Sequence, residues 1–361
     1  MAKLKLRFNT DLILFIISAF IIILQIKTYV FPTILRVDFG IYYDATKAML
    51  ANQNIYGMLL DGITFNYPPS LFLLIFPFTL FPKIYAVSIW NLIGIILFLS
   101  SGILFFKKFL SEITFSKKLF LISIFFLISP IQETLLFGQI NIYVLFLCLS
   151  SFFLFEKNNR RMDVLAGLSL GLASGLKIIP LFLLIYLLLR KKWLGIIIAS
   201  LSFMLFNFAG SLGNFNHFYE FIKYISATVV LPSLGSSTEF TTLLSSFSIL
   251  SVIFITLWAT YNYFKEIKKS KEKGIVRFEL FSILFATSIL FFPFADALNH
   301  HFVFLIPLIW LSFYKFAKKK SLLSFFVFTT LFCLTASQNN DILIPFLIIF
   351  IWLCFSTTKL L

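Results

Sequence analysis

Residues 11–30 read DLILFIISAFIIILQIKTYV. An α-helix rises about 1.5 Å per residue, so about 20 apolar residues cross a hydrocarbon core. Lys3, Lys5 and Arg7 precede the run, as basic residues precede a secretory leader. A leader's apolar region covers only about 7–15 residues and ends at a small-residue cleavage site. This run passes through Gln25 and Lys27 to Val30 without one. It reads as a retained first transmembrane helix.

The same texture recurs along the chain. Clear apolar runs occupy 84–106, 193–209, 243–264, 321–337 and 342–358, and shorter ones 119–132, 141–155, 164–176, 178–190, 279–293 and 302–314. Together with 11–30 they predict about 12 transmembrane helices. The stretch 69–82 holds Pro69, Pro77 and Pro82 and reads as a half-helix that dips in and returns, with a full crossing as the alternative. The composition agrees: 60% of residues are apolar and 12% charged, against about 25% charged in a soluble domain. An ordinary soluble enzyme, a disordered chain and a water-soluble nucleic-acid binder are excluded. The expected architecture is an all-α polytopic membrane protein forming a single domain over 1–361.

The net charge of +15 follows from orientation. With the N-terminus in the cytoplasm, all basic residues except Lys27, Arg36, Lys47, Lys83, Lys177 and Lys223 fall in cytoplasmic segments. This is the positive-inside pattern, and it requires no nucleic-acid partner. It predicts a multi-pass protein of the cell (inner) membrane, surrounded by membrane lipids. Two long loops, 31–68 and 210–242, then lie on the outer face with the acids Asp38, Asp44, Asp61, Glu133, Glu220, Glu239, Asp296 and Asp341. The inner loops read as short and merely basic, so chemistry is expected outside. Cys148, Cys333 and Cys354 sit inside apolar runs and read as small buried hydrophobes.

Five polar constellations interrupt the hydrocarbon. Arg36-Val37-Asp38-Phe39 with Tyr42-Tyr43 opens a loosely amphipathic stretch, a candidate helix lying on the outer leaflet. Asp38 there is a helix cap, a functional carboxylate, or both. Tyr67-Pro68-Pro69 presets a turn into the membrane. Gly138-Gln139-Ile140-Asn141 places two amides beside apolar runs, where they cap the next helix or meet a polar partner. Lys177 follows Gly167, Gly171 and Gly175, whose spacing permits close helix packing. A lysine at that outer break either snorkels or meets an anion such as phosphate. Asn299-His300-His301 puts two histidines at an outer helix start. Neighbours on a helix point about 100° apart, so a shared metal is not expected. Interfacial polarity or a contact with phosphate remains. No nucleotide loop appears, so any transfer must draw on an activated lipid or an ion gradient.

Taken in order, these motifs resemble glycosyltransferase family 87, the DUF2029 group, over roughly residues 36–310. Its best-known members are polyprenol-phosphate-mannose-dependent mannosyltransferases. The resemblance implies a GT-C-like bundle with an outer juxtamembrane helix in the first long loop. It implies transfer of a hexose, mannose foremost, from a polyprenyl-phosphate sugar donor to a glycan or glycolipid acceptor at the outer face, with inversion.

The chemistry of the residues suits that class. An acceptor hydroxyl attacks the anomeric carbon and a carboxylate takes its proton, which makes Asp38 the candidate general base. Lys177, His300, His301 and Arg36 are candidates for the donor phosphate. Tyr42, Tyr43, Tyr67, Gln139 and Asn141 are candidates for the sugar or acceptor. No cofactor or metal is expected. The other readings are a transporter or flippase, which calls for midplane charges and internal repeats, and a polymerase or ligase of lipid-linked glycans. The apolar runs carry almost no central charge, and 210–242 holds no arginine.

Overall fold

The structure, a computed structural model, describes residues 10–31, 37–56, 59–60, 63–212, 214–225, 239–291 and 299–319. Arg36, Asp61, Asp296, Asp341 and the expected helices at 321–337 and 342–358 lie outside them.

The described chain is helical, apart from a two-residue antiparallel ladder pairing Leu59–Leu60 with Ile63–Thr64. Helix α1 (Thr10–Gln25) runs on through a π turn, Ile26–Val30, and α2 (Val37–Leu50) follows. Then come α3 (Ser70–Ile75), α4 (Lys83–Phe109), α5 (Phe115–Ser123), α6 (Ser129–Phe137), α7 (Asn141–Phe155) and α8 (Arg160–Leu176). The rest are α9 (Leu184–Leu189), α10 (Trp193–Gly210), α11 (Phe215–Ile225), α12 (Glu239–Lys269), α13 (Lys273–Thr287) and α14 (Ile306–Lys319), the last preceded by a 3-10 segment, Asn299–Leu305.

Among the described residues, Thr10–Val30, Lys83–Phe109, Trp193–Gly210 and His300–Lys318 are long and apolar enough to cross a membrane. A fifth span forms if α5 and α6, bent by 69° at the break between them, count as one. The sequence reading had one short crossing at 119–132. The bend arises because Ile128 is extended and Pro130 lies in the first turn of α6, where a missing N–H is tolerated only at a helix start. The stretch 69–82 is a short helical segment, Ser70–Leu80. The expected loop at 210–242 contains α11 and the start of α12.

Helix α2 differs from its expectation as a surface helix. It buries Phe39, Ile41, Tyr42, Tyr43, Ala45, Thr46 and Met49 within the protein, leaving Val37, Lys47 and Leu50 exposed. The glycine row of α8 packs directly on α10. A Cβ on Gly171 would meet Ser202 and would lie 2.6 Å from the Ala199 carbonyl oxygen; one on Gly167 would lie 2.8 Å from Ile198 Cβ. Only hydrogen side chains let these backbones approach so closely.

Helices α7 and α8 are antiparallel neighbours, joined by Ser151 Oγ donating to the Ala166 carbonyl and Ser169 Oγ to that of Leu147. Asn141 and Lys177 therefore lie at one end of the pair, Glu156 and Arg160 at the other. That second end is basic but also carries paired acids, which corrects the reading of merely basic inner loops. Glu156 accepts from Arg190 at 2.7 Å and Arg277 at 3.1 Å, and Asp163 from Lys192 at 2.9 Å.

Candidate active site

At the opposite end, Asp38, Tyr42, Tyr67, Gln139, Asn141, Lys177 and His300 form one connected polar nest. Its centre is the link between α6 and α7. Gly138 ends α6 in the left-handed region at φ 70°, a conformation that costs glycine little. The chain then re-enters α7 at once, so Gln139 and Asn141 sit on either side of Ile140, both buried.

Gln139 joins the first loop to this link. Its Nε2 donates to Asp38 Oδ2 at 2.6 Å, and its Oε1 accepts from the hydroxyls of Tyr42 and Tyr67, each at 3.1 Å. Asp38 and Tyr42 are four residues apart on α2, so both meet the same amide. Tyr67 packs edge-on against Tyr42, with ring centroids 4.8 Å apart. Asp38 lies inside the first turn of α2, and its side chain contacts Gln139 across the fold.

Asn141 builds the other half. Its Oδ1 accepts from Lys177 Nζ at 2.8 Å, and its Nδ2 donates to the His300 carbonyl at 2.9 Å. Neither amide caps α7, where no side-chain cap bond forms. Lys177 ends α8 in extended conformation and is 6% exposed, so it does not snorkel to water. His300 and His301 are both buried, with ring centroids 4.5 Å apart, and His300 Nδ1 has no hydrogen-bond partner among the described residues. Among those residues no three His, Cys, Asp or Glu gather as a metal site would require.

The electrostatics of the nest follow from burial. Desolvation raises the Asp38 carboxyl above its ordinary value, while the Gln139 hydrogen bond and the Lys177 charge act in the other direction. Desolvation pulls Lys177 down to about 7, opposed by Asp38. For both groups desolvation outweighs the attraction between the two charges.

Tyr43 is not part of the nest. It projects from another side of α2, where its hydroxyl donates to the Phe81 carbonyl and Lys47 lies over its ring. Trp90 and Asn91 are the residues that the sequence reading missed. Trp90 Nε1 donates to the Gly138 carbonyl at 2.9 Å and its ring stacks on Tyr143 at 4.0 Å. Asn91 Nδ2 reaches the Tyr29 and Leu135 carbonyls. Helix α4 thereby braces the link that carries Gln139. A tryptophan–asparagine pair inside the apolar run 84–106 was the available signal.

The model of glycosyltransferase family 87 matches residues 65–293. The chain belongs to glycosyltransferase family 87. This family 87 protein is a membrane glycosyltransferase, with a sugar donor and an acceptor as its substrates. The matched stretch takes in Tyr67, Gln139, Asn141 and Lys177; Asp38, Tyr42, Tyr43, His300 and His301 lie beyond its ends. No curated protein and no solved structure matches the chain.

Proposed function

We propose that this family 87 enzyme moves a hexose, mannose in the first instance, from a polyprenyl-phosphate donor to a hydroxyl of a glycan or glycolipid acceptor. In this reading the fold is a GT-C-like bundle of about 12 spans in the inner membrane. The basic end faces the cytoplasm, as the positive-inside pattern favours, and the nest opens on the outer face. The observation that carries the reading is that one buried link holds both groups: Gln139 donates to Asp38 Oδ2 at 2.6 Å, and two residues on, Asn141 accepts from Lys177 Nζ at 2.8 Å.

The acceptor hydroxyl oxygen attacks the anomeric carbon from the face opposite the phosphate. Asp38 takes the hydroxyl proton as the new C–O bond forms. The bond from the anomeric carbon to the phosphate oxygen breaks, and its electron pair leaves with the phosphate. Such a displacement inverts the sugar. A positioned base contributes about 10²–10⁴-fold. Lys177 meets the charge growing on the phosphate, helped by the imidazoles of His300 and His301. Arg36 is a further candidate from the sequence. No cofactor enters this scheme; the donor's own phosphate linkage supplies the leaving group.

The test is sugar transfer from a panel of radiolabelled polyprenyl-phosphate sugars in membranes with and without the protein. Transfer that depends on the wild-type chain and disappears in Asp38→Asn supports the assignment and names the donor. Undiminished transfer by Asp38→Asn removes Asp38 as base. Vesicle uptake without transfer would instead favour transport.

A further inference from the structure

The side-chain amide of Gln139 has one chemically consistent orientation. Two phenol hydroxyls converge on Oε1, and Nε2 faces Asp38 Oδ2. Turning the amide over would set its oxygen against a carboxylate oxygen, acceptor against acceptor. In the observed orientation both phenols lie within hydrogen-bond distance of Oε1, at 3.1 Å each, so the face of Gln139 that could accept from a sugar hydroxyl is covered by Tyr42 and Tyr67. Its surroundings are equally fixed: Trp90 ties down the preceding carbonyl, and Tyr42 packs edge-on against both Tyr67 and Trp90. Meanwhile Asp38 Oδ1 has no hydrogen-bond partner among the described residues.

We propose that Gln139, held by Tyr42 and Tyr67, is a positioning residue that occupies Asp38 Oδ2 and presents Oδ1 to the acceptor hydroxyl, and that it does not itself bind sugar. The inference rests on the reading of Asp38 as the base. It reassigns three residues expected to line the sugar pocket to a relay that aims the carboxylate. The titratable groups that face Asp38 are Lys177, Tyr42 and Tyr67. The phenols keep their protons through neutral pH, so on the acid side the carboxylate itself is read. A donor on Oδ2 favours the ionised form; its loss moves the acid limb of kcat upward.

The experiment uses the full chain in vesicles, with polyprenyl-phosphate mannose as probe donor. Gln139→Leu is expected to lower kcat about 10- to 100-fold, the range for losing a hydrogen bond to a charged group. KM for donor and acceptor stays put, and the acid limb moves up. Adding Tyr42→Phe or Tyr67→Phe to that variant has no further effect. A raised KM with an unmoved limb makes Gln139 a substrate ligand and overturns the inference. Should the leucine variant fail to fold, Gln139→Met keeps an unbranched side chain of similar length while removing the amide donor. The same kcat loss and upward limb are expected of it, and wild-type transfer overturns the inference. Thermal midpoint against pH gives a readout free of turnover and of donor identity. The acid-side inflection belonging to Asp38 disappears in Asp38→Asn and moves up in Gln139→Leu; an unmoved inflection overturns the inference. Transfer that survives Asp38→Asn fails the base reading separately.

Discussion

Asp38 and Gln139 are 101 residues apart in the chain and are joined by a 2.6 Å hydrogen bond. The bond closes the first loop onto the link between α6 and α7. On the far side of that link Asn141 binds Lys177 and the backbone of His300. One short link thus holds the carboxylate on one flank and the ammonium on the other, and their relative placement depends on its backbone.

The raised Asp38 carboxyl has a signed consequence for stability. A carboxyl whose folded value exceeds its unfolded one contributes stability below the unfolded value, near 3.8, and loses it as pH rises through the folded value. Asp38→Asn retains an acceptor for Gln139 and never ionises. At neutral pH the variant is expected to melt at or above the wild-type temperature in detergent, while its transfer activity falls by about 10²–10⁴-fold. A variant that melts lower at pH 7 would show that the ionised carboxylate supports the fold, against this account.

Burial lowers Lys177 to about 7, so its proposed role at the donor phosphate predicts a donor affinity that depends on pH. A phosphodiester donor has no proton to lose near neutrality, so the pH dependence belongs to the protein. Bound phosphate raises the ammonium's pKa, and binding takes up a proton wherever free Lys177 is neutral. Donor affinity should therefore be flat below about pH 7 and fall up to about 10-fold per unit above it. In Lys177→Met the slope should vanish and affinity drop at all pH values. Titrating a non-hydrolysable polyprenyl-phosphate sugar from pH 6 to 9 checks both; a slope that persists in the methionine variant assigns it elsewhere.

Much of the nest was legible because polar groups in hydrocarbon are costly and therefore visible. Asp38, Gln139, Asn141, Lys177 and His300 all interrupt apolar runs, and the fold brings them together. The separation of Tyr42 from Tyr43 was also readable in principle. Residues four apart on a helix share a face with Asp38, whereas the next one turns away by about 100°. Trp90 and Asn91 escaped because aromatic and amide side chains in an apolar run give no sign of which distant carbonyl they will reach. The break at Ile128 was marked by Pro130, but its 69° angle depends on packing. The acids of the basic end were invisible for a related reason: charge counting fixes sides, and it does not fix partners.

The contact of α8 with α10 yields an expectation about assembly. Gly171 lies against Ser202 and the Ala199 carbonyl with no space for a Cβ. Gly171→Leu must force the helices apart, at about 1–3 kcal/mol for overpacking. Because Lys177 ends the same helix, the displacement also moves the ammonium. The variant should melt several degrees lower and lose donor affinity. Gly274→Ala, at a position where the nearest atoms lie 3.9 Å from an added Cβ, should do neither. Equal melting of the two variants would count against close packing at Gly171.

The strongest expected stability loss lies at the other end of the molecule. The Glu156 carboxylate is 7% exposed and shared by Arg190, 6% exposed, and Arg277. It therefore ties α7 to the end of α9 and to α13. Removing one partner of a buried ion pair leaves an uncompensated charge, at about 3–5 kcal/mol. Glu156→Ala leaves two guanidinium groups facing each other, so it should lower the melting temperature more than any substitution in the nest. Glu156→Gln keeps the acceptor oxygen and should recover part of that loss. Because the cluster sits at the far end of α7 from Asn141, variants that still fold should bind donor with wild-type affinity. Paired measurements of melting and donor binding on the two variants decide the point: loss of binding without loss of stability would mean that this end communicates with the nest.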